Sequence, residues 1–555
     1  MNKVHLLMPE VLVAISYKDI YSDFNTVNPE DFIKDIPTIP LLKFIVERFN
    51  KVLYAFSDTT SQLSLLREFN PKLPKEARNK VFKYTKRHLD KVLIYTHESV
   101  KMFTQIAIQN YVPLENEEDD YIAEDEYEKI YKTILYCNQI WTDNQLKSDD
   151  VKEKSLIDVS ILIDLPIIEF KRFKDFRYQL FKALRFFEFC ENDNTFKSYL
   201  PYFLKEKNVN TWREYVYKLF KYYEQSLNSF IFDNADPFID QFLIKLNDTD
   251  INTLWSDHIK GLLYLRNKFF FPISNKQYIL LNPNLLVDKI YQAIKFDLFN
   301  VIRKYSLPNP AGKCYKCFPD FNSKLGETFS ESSLLYHIIE KTFSNNKCVL
   351  YNGTTLKTYW KDGEPDYYIR EDDAVFLFEH KDLLLGDNIK FSKDIGYIKE
   401  EILKRLCYDD GKDRKGAGQL LYSIDRILNK GVMNNSDPEI SKIKYIFPII
   451  TVTDSAFSAM GVNAVVIESF ENLIKKYQFK KGIFISRPII IDYNDLVYLS
   501  YRLHKGVLNL KDVLMDFIKR AWKNMQSFST FIQDEYKIED KNISNELKYM
   551  FPEFH

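Results

Sequence analysis

Five consecutive apolar residues, Ala374-Val375-Phe376-Leu377-Phe378, run directly into four ionisable ones, Glu379-His380-Lys381-Asp382. A short continuous apolar run is the pattern of a buried strand. Its abrupt end in charge means that the strand leaves the interior there. Side chains alternate faces along a strand, so Val375, Leu377, Glu379 and Lys381 share one side. Two ionisable groups therefore emerge together from the end of a buried strand.

The residues before this run supply its partner. Tyr367 to Ile369 can form a second strand, and the polar turn Arg370 to Asp373 predicts a hairpin. If the turn centres between Asp372 and Asp373, Asp366 lies directly opposite Glu379. Opposed residues of an antiparallel pair are about 5 Å apart at Cβ, and like charges there repel. A hard divalent cation resolves the conflict, which makes Asp366 and Glu379 a candidate Mg²⁺ or Mn²⁺ site with oxygen ligands. Lys381, one step along the same face, is placed to orient or deprotonate an attacking water and to stabilise charge on phosphorus-bound oxygens. The competing reading is an ordinary surface hairpin, in which Lys381 faces Glu364 and solvated ion pairs contribute little. The other Pro-Asp pair, Pro319-Asp320, has no acid-x-Lys within the next thirty residues.

On the residues Pro365-Asp366 and Glu379-His380-Lys381 the chain resembles the PD-(D/E)xK, or restriction-endonuclease-like, nucleases. The resemblance covers roughly 310–500. It implies a small mixed sheet flanked by helices, with metal ligation by Asp366, Glu379 and the backbone carbonyl of His380, and catalysis by Lys381. It also implies an acid from the preceding helix, for which Glu331 is the candidate and Glu327 and Glu340 are rivals. A branch of the superfamily carries a helix with Gln and Tyr four apart near the metal. Gln419 in Lys415-Gly416-Ala417-Gly418-Gln419-Leu420-Leu421-Tyr422 fits that place, whereas Tyr422 stands only three residues on. The glycines before Gln419 lack the Gly-Lys-Ser/Thr ending of a phosphate loop.

At 555 residues the chain is too long for one ordinary core. Residues 1–305 read mainly as helices, possibly in two subdomains, that bind substrate or a partner. The apolar stripes are Leu41/Ile45/Phe49/Val52, Val81/Leu89/Val92/Val100/Phe103, Phe173/Phe176/Leu180/Leu184/Phe187 and Trp212/Val216/Leu219/Tyr223. Acidic residues from Glu115 to Glu128 predict an exposed loop. Lys171 to Arg185 interleaves basic and aromatic residues, which is either a nucleic-acid-binding surface or an amphipathic helix with a solvated basic face. The breaker-rich Leu307-Pro308-Asn309-Pro310-Ala311-Gly312 marks a boundary, placing a nuclease-like α/β domain at 306–500 and a helical extension at 501–555. Within that domain a helix is predicted near 326–343 and strands near 347–351, 366–370 and 374–381. A longer helical stretch should follow, then strands Tyr445–Thr453 and Gly482–Asp492.

A net charge of −1 excludes coating of nucleic acid by bulk charge but not a local basic groove. Six cysteines make no disulfide framework, and Cys314-x-x-Cys317 lacks a second ligand pair for zinc, so two buried free thiols in a loop are expected. The apolar stretch Val4–Ser16 is not a signal peptide and no run spans a bilayer, so a cytoplasmic protein is expected. The expected activity is metal-dependent phosphodiester hydrolysis on nucleic acid, DNA ahead of RNA, by analogy in bacterial defence or restriction. A protein partner or a second copy through the helical region is expected, and no membrane. The alternative is an inactive nucleic-acid-binding or scaffold subunit of a defence complex.

Overall fold

Asp372 takes a φ of 48°, a left-handed conformation that Asp tolerates because its short polar side chain can bond locally. With Asp373 it makes the two-residue turn on which the sheet is built. The computed structural model describes residues 13–50, 59–88, 92–116, 118, 120–144, 154–168, 175–233, 236–245, 264–274, 276–344, 347–360, 362–479, 482–520, 525–537 and 540–552. In the unit that holds the hairpin the strands are β1 (Cys348–Asn352), β2 (Tyr367–Glu371), β3 (Ala374–Lys381), β4 (Cys407–Asp409), β5 (Arg414–Gly416), β6 (Tyr445–Val452), β7 (Phe484–Ile485) and β8 (Ile489–Asp492). β2 and β3 pair antiparallel from Tyr367 opposite Phe378 to Glu371 opposite Ala374. This is the register predicted from the turn, and it sets Asp366 across from Glu379 one step beyond the ladder.

β1 adds to β2 antiparallel, while β6 runs parallel to β3 along its whole length. β7 and β8 both pair with β6 in parallel, giving a mixed sheet ordered β7/β8–β6–β3–β2–β1. The single strand expected over 482–492 is therefore broken. Tyr445 aligns with Phe484 but Ile449 with Ile489, so one extra residue is accommodated between the two pieces. Pro488 lies in that bulge, where it need not donate to the ladder.

One sheet face carries Val375, Leu377, Ile446 and Ile450. They share a core with Ile398 and Ile402 of helix Ile395–Leu406 and with Leu420, Leu421 and Ile424 of helix Ala417–Lys430. Each such side chain, fully buried, contributes about 1.5–3 kcal/mol. Spacing of three and four residues along helix Ala417–Lys430 is what turns its apolar side to the sheet. The continuous helical stretch expected after β3 is interrupted by the antiparallel ribbon β4–β5. Gly416 and Gly418 serve that ribbon. An added Cβ would fall 2.1 Å from the Leu406 carbonyl oxygen at Gly416 and 2.2 Å from that of Tyr408 at Gly418. The glycine-rich approach to Gln419 is thus a close-packing device.

The chain forms two compact units that are discontinuous in sequence. One comprises Met1–Ser148, Phe170–Gln179 and Pro201–Ile294, the other Asp149–Glu169, Leu180–Leu200 and Lys295–His555. The single boundary drawn at 305/306 differs from this division in three ways. The breaker segment at 307–312 lies inside the sheet-bearing unit, where Tyr199 Oη donates to the Pro308 carbonyl at 2.6 Å. Ile161 and Leu165 belong to the core of the same unit. The helices after residue 500 also belong to it, and Lys511 Nζ bonds Asp373 Oδ1 at 2.7 Å.

The first unit is helical, as expected, but also holds an antiparallel three-stranded sheet of Ile231–Asp233, Phe270–Pro272 and Gln277–Leu280. Its predicted stripe from Val81 to Phe103 is divided. Val81 lies in helix Lys75–His88, Val92 begins a two-residue strand, and Val100 and Phe103 lie in helix His97–Gln109. Leu89, like Val52 and Phe173 of the other stripes, lies outside the described residues. The acidic loop ends earlier than predicted, since helix Glu126–Asn144 begins within it.

Of the basic-aromatic segment, Lys171, Arg172 and Lys174 lie outside the described residues. Arg177 bonds Asp175, Arg185 bonds Glu188, and Lys182 is buried. The described part is therefore not a solvated basic face. Cys314 and Cys317 are free but exposed, not buried as expected. Among the described residues no helix is long and apolar enough to cross a membrane.

Candidate functional site

Glu379 and Lys381 leave the end of β3 on one face, and their side chains meet: Lys381 Nζ donates to Glu379 Oε1 at 2.5 Å. The cross-strand pair between Lys381 and Glu364 that a surface hairpin would favour does not form. Glu379 is buried, its side chain 2% exposed, and its second oxygen, Oε2, is buried without a hydrogen-bond partner. An orphaned buried carboxylate oxygen is costly, so its presence calls for an explanation. Asp366 is partly exposed, and its Oδ2 accepts the His380 backbone N–H at 2.7 Å.

The third acid arrives from the helical run Phe318–Leu325, Gly326–Tyr336 and His337–Phe343, whose middle section has π geometry. Bonding at i to i+5 brings residues five apart into line, and Tyr336 Oη donates to Glu331 Oε1 at 2.5 Å. Glu331 is thereby held where its charge acts on Asp366, Glu379 and Lys381. Of its rivals, Glu327 is exposed and bonds Lys324, and Glu340 accepts from Tyr367 Oη at 3.5 Å.

Although Asp366 keeps some solvent contact, desolvation by its crowded surroundings, then the charges of Glu379 and Glu331, holds its carboxyl well above the usual carboxylate range. Glu379 is also raised, by burial first and by Glu331 and Glu364, although Lys381 opposes the shift. Burial disfavours the Lys381 ammonium, yet Glu379 and Asp366 outweigh it and hold its pKa above the ordinary lysine value. Three carboxylates, from Glu379, Asp366 and Glu331, thus act on the one partly buried ammonium of Lys381, and Glu364 adds its charge beside Glu379.

Gln419 stands at the edge of this group. Its Nε2 donates to the Glu364 carbonyl at 3.2 Å, and Ser423 Oγ donates to that of Gly363 at 2.7 Å. The first turns of helix Ala417–Lys430 therefore fix the approach to Asp366. Tyr422 turns away, bonding Asp362 beneath the Arg414 guanidinium. His380 contributes only its main chain. Its imidazole lies on the opposite sheet face with Nδ1 2.8 Å from Thr451 Oγ1, and burial lowers its pKa to about 4.

Sequence reasoning missed Tyr336, Glu364 as a member of the group, and Gly353. Gly353 N–H donates to the Asp366 carbonyl at 2.7 Å, and a Cβ there would sit 3.0 Å from Tyr336 Oη and 3.2 Å from that carbonyl. Only the five-residue spacing Glu331…Tyr336 offered a signal, and it is meaningful only once the helix is known to be π.

The side chains gathered here offer carboxylate oxygens, a chemistry that suits a hard cation such as Mg²⁺ or Mn²⁺ and not a thiophilic one. Among the described residues, no three donor side chains are gathered tightly enough to enclose an ion as they stand. The Lys381 ammonium supplies the neutralising charge on Glu379 Oε1, and Oε2 is left without a hydrogen-bond partner. Comparison of the chain with family models, with curated proteins and with solved structures finds no match.

Proposed function

We propose that the chain is a metal-dependent phosphodiesterase acting on nucleic acid, with a PD-(D/E)xK-like centre formed by Asp366, Glu379, Lys381 and Glu331. The observation that carries the reading is the convergence of these acids on one partly buried lysine, with the buried Glu379 Oε2 unpartnered. A hairpin serving only packing gains nothing from gathering mutually repelling carboxylates around a buried one at its open end.

In this reading Asp366, Glu379 and the His380 carbonyl hold Mg²⁺ or Mn²⁺, with Glu331 as a further acid. The bound cation would supply a nucleophilic water at neutral pH and neutralise a phosphoryl oxygen. Lys381 enters charged, because its neighbours hold its pKa up. Its role is accordingly to orient the phosphate and stabilise negative charge as the water oxygen bonds to phosphorus and the P–O bond to the leaving group breaks. Removing the water proton falls to a carboxylate and not to Lys381, a narrower role than the sequence suggests. Gln419 steadies the backbone at Glu364 and approaches the path of the substrate.

The test is incubation of the purified full chain with linear, circular and single-stranded DNA and with RNA, with and without Mg²⁺ or Mn²⁺. Cleavage should need the cation and vanish in Asp366→Ala, Glu379→Ala and Lys381→Ala, each confirmed folded. Cleavage retained in the Lys381 variant removes the catalytic assignment. Nucleic-acid binding without any cleavage would leave the scaffold alternative standing.

A further inference from the structure

On the opposite side of β3 from Glu379 and Lys381 lies a web that packing alone does not require. Asp382 follows Lys381 directly, and its side chain is 2% exposed. Lys295 Nζ reaches both its oxygens at 2.6 Å. Thr453 Oγ1 donates to Oδ1 at 2.5 Å, and Ser330 Oγ donates to Oδ2. Its main-chain oxygen accepts from Asn322 Nδ2 at 2.9 Å. A Cβ built on Gly326 would lie 3.7 Å from the Asp382 Cβ. Asn322, Gly326 and Ser330 are spaced by four residues and form one stripe of the helical run that carries Glu331. The residue after Ser330 is Glu331, and the residue before Asp382 is Lys381.

We infer that Asp382 is a positioning residue for the centre, with Ser330 as its clamp on the helix. This rests on the proposed function. The Ser330–Asp382 bond locks the register between helix and strand, and so sets where the Glu331 carboxylate stands relative to Glu379 and Lys381. Without it the helix remains attached through Asn322, but Glu331 is no longer held at the distance that the centre needs. Partners of this kind, one layer behind ligands, commonly govern metal affinity or turnover by roughly 10- to 100-fold.

The test uses the full chain carrying Ser330→Ala, Ser330→Thr, Glu331→Gln or the Ser330→Ala/Glu331→Gln pair. Mn²⁺ affinity is read by titration calorimetry and turnover by cleavage of the best substrate. Ser330→Ala should weaken Mn²⁺ binding or kcat by roughly tenfold or more and leave KM for nucleic acid unchanged. Ser330→Thr, which keeps the hydroxyl, should restore most of the loss. The double variant should be no worse than Glu331→Gln alone, since the clamp acts through Glu331. Additive losses in the double variant, or wild-type affinity and turnover in Ser330→Ala, would overturn the positioning role while the centre stands. A wild-type chain that neither binds Mn²⁺ nor cleaves any substrate overturns the proposed function, and the positioning role with it.

Discussion

Replacing Asp366 by Asn separates a metal centre from a simple ion-paired hairpin through stability alone. In the metal-free protein, Asp366 is crowded by Glu379 and Glu331, and its carboxyl is raised well above the usual range by burial and those charges. A carboxylate whose folded pKa lies above its unfolded value weakens the fold at neutral pH. Stability returns as pH falls through the folded pKa toward the unfolded value near 3.9. Asn cannot ionise, yet its side-chain oxygen can still accept the His380 N–H that now bonds Oδ2 at 2.7 Å. Asp366→Asn should therefore raise the metal-free Tm at pH 7.5, and the gain should shrink as pH is lowered. Mn²⁺ should act unequally on the two proteins. A cation binding only the folded state at a hundred times its Kd adds about 2.7 kcal/mol. For a unit of about 300 residues, with an unfolding entropy near 2.1 cal/mol/K per residue, that is a rise of roughly 4 °C in wild type. Most of the rise should vanish in Asp366→Asn. The assay is differential scanning calorimetry of the full chain. A fragment starting at 306 is unsuitable, because it lacks Ile161 and Leu165 of the core and Phe186, whose ring packs on Phe329. Equal Mn²⁺ shifts in both proteins, or a metal-free variant less stable than wild type, would refute the reasoning.

Gln419→Ala should lower turnover while leaving the Mn²⁺-dependent Tm rise intact, and wild-type turnover on every substrate would reduce Gln419 to a packing residue. Gly418→Ala should cost about 1–3 kcal/mol in urea denaturation, because the new methyl meets backbone, not a flexible side chain. Arg370→Met should cost about 3–5 kcal/mol by leaving Asp437, fully buried and bonded to Arg370 Nε at 2.6 Å, without its counter-charge; a loss below 1 kcal/mol in urea denaturation contradicts this. The Asp382 carboxyl is held down to about 2, since Lys295, Ser330 and Thr453 outweigh the burial that would raise it. It should thus contribute about 2–3 kcal/mol at neutral pH that is lost as pH falls from 4 toward 2, and the Asp382→Asn protein should lack that part of the acid limb in urea titrations at successive pH values.

What could be read directly in the sequence was local in origin. The β2–β3 hairpin, its register and the opposition of Asp366 to Glu379 follow from a two-residue turn and the alternation of side chains, both properties of neighbouring residues. The end of β3 at Lys381 was visible because apolar residues give way to charge at one point in the chain. Helix Ala417–Lys430 and its glycines were visible too, but the reason for Gly416 and Gly418 was not, since it lies in the carbonyls of Leu406 and Tyr408. Glu331 could be named only as one of three acids on a helix. Only the tertiary structure sets it beside Asp366 and Glu379, because a π section aligns Tyr336 with it and Asp382 grips the residue before it. The bonds that decide this join Asp382 to residues 52, 60, 71 and 87 positions away, and no local periodicity encodes a separation of that length. For the same reason the segments 149–169 and 180–200 gave no sign of belonging with the sheet. The apolar stripe through Leu180, Leu184 and Phe187 specifies that a face must be buried, and only the folded chain specifies against what.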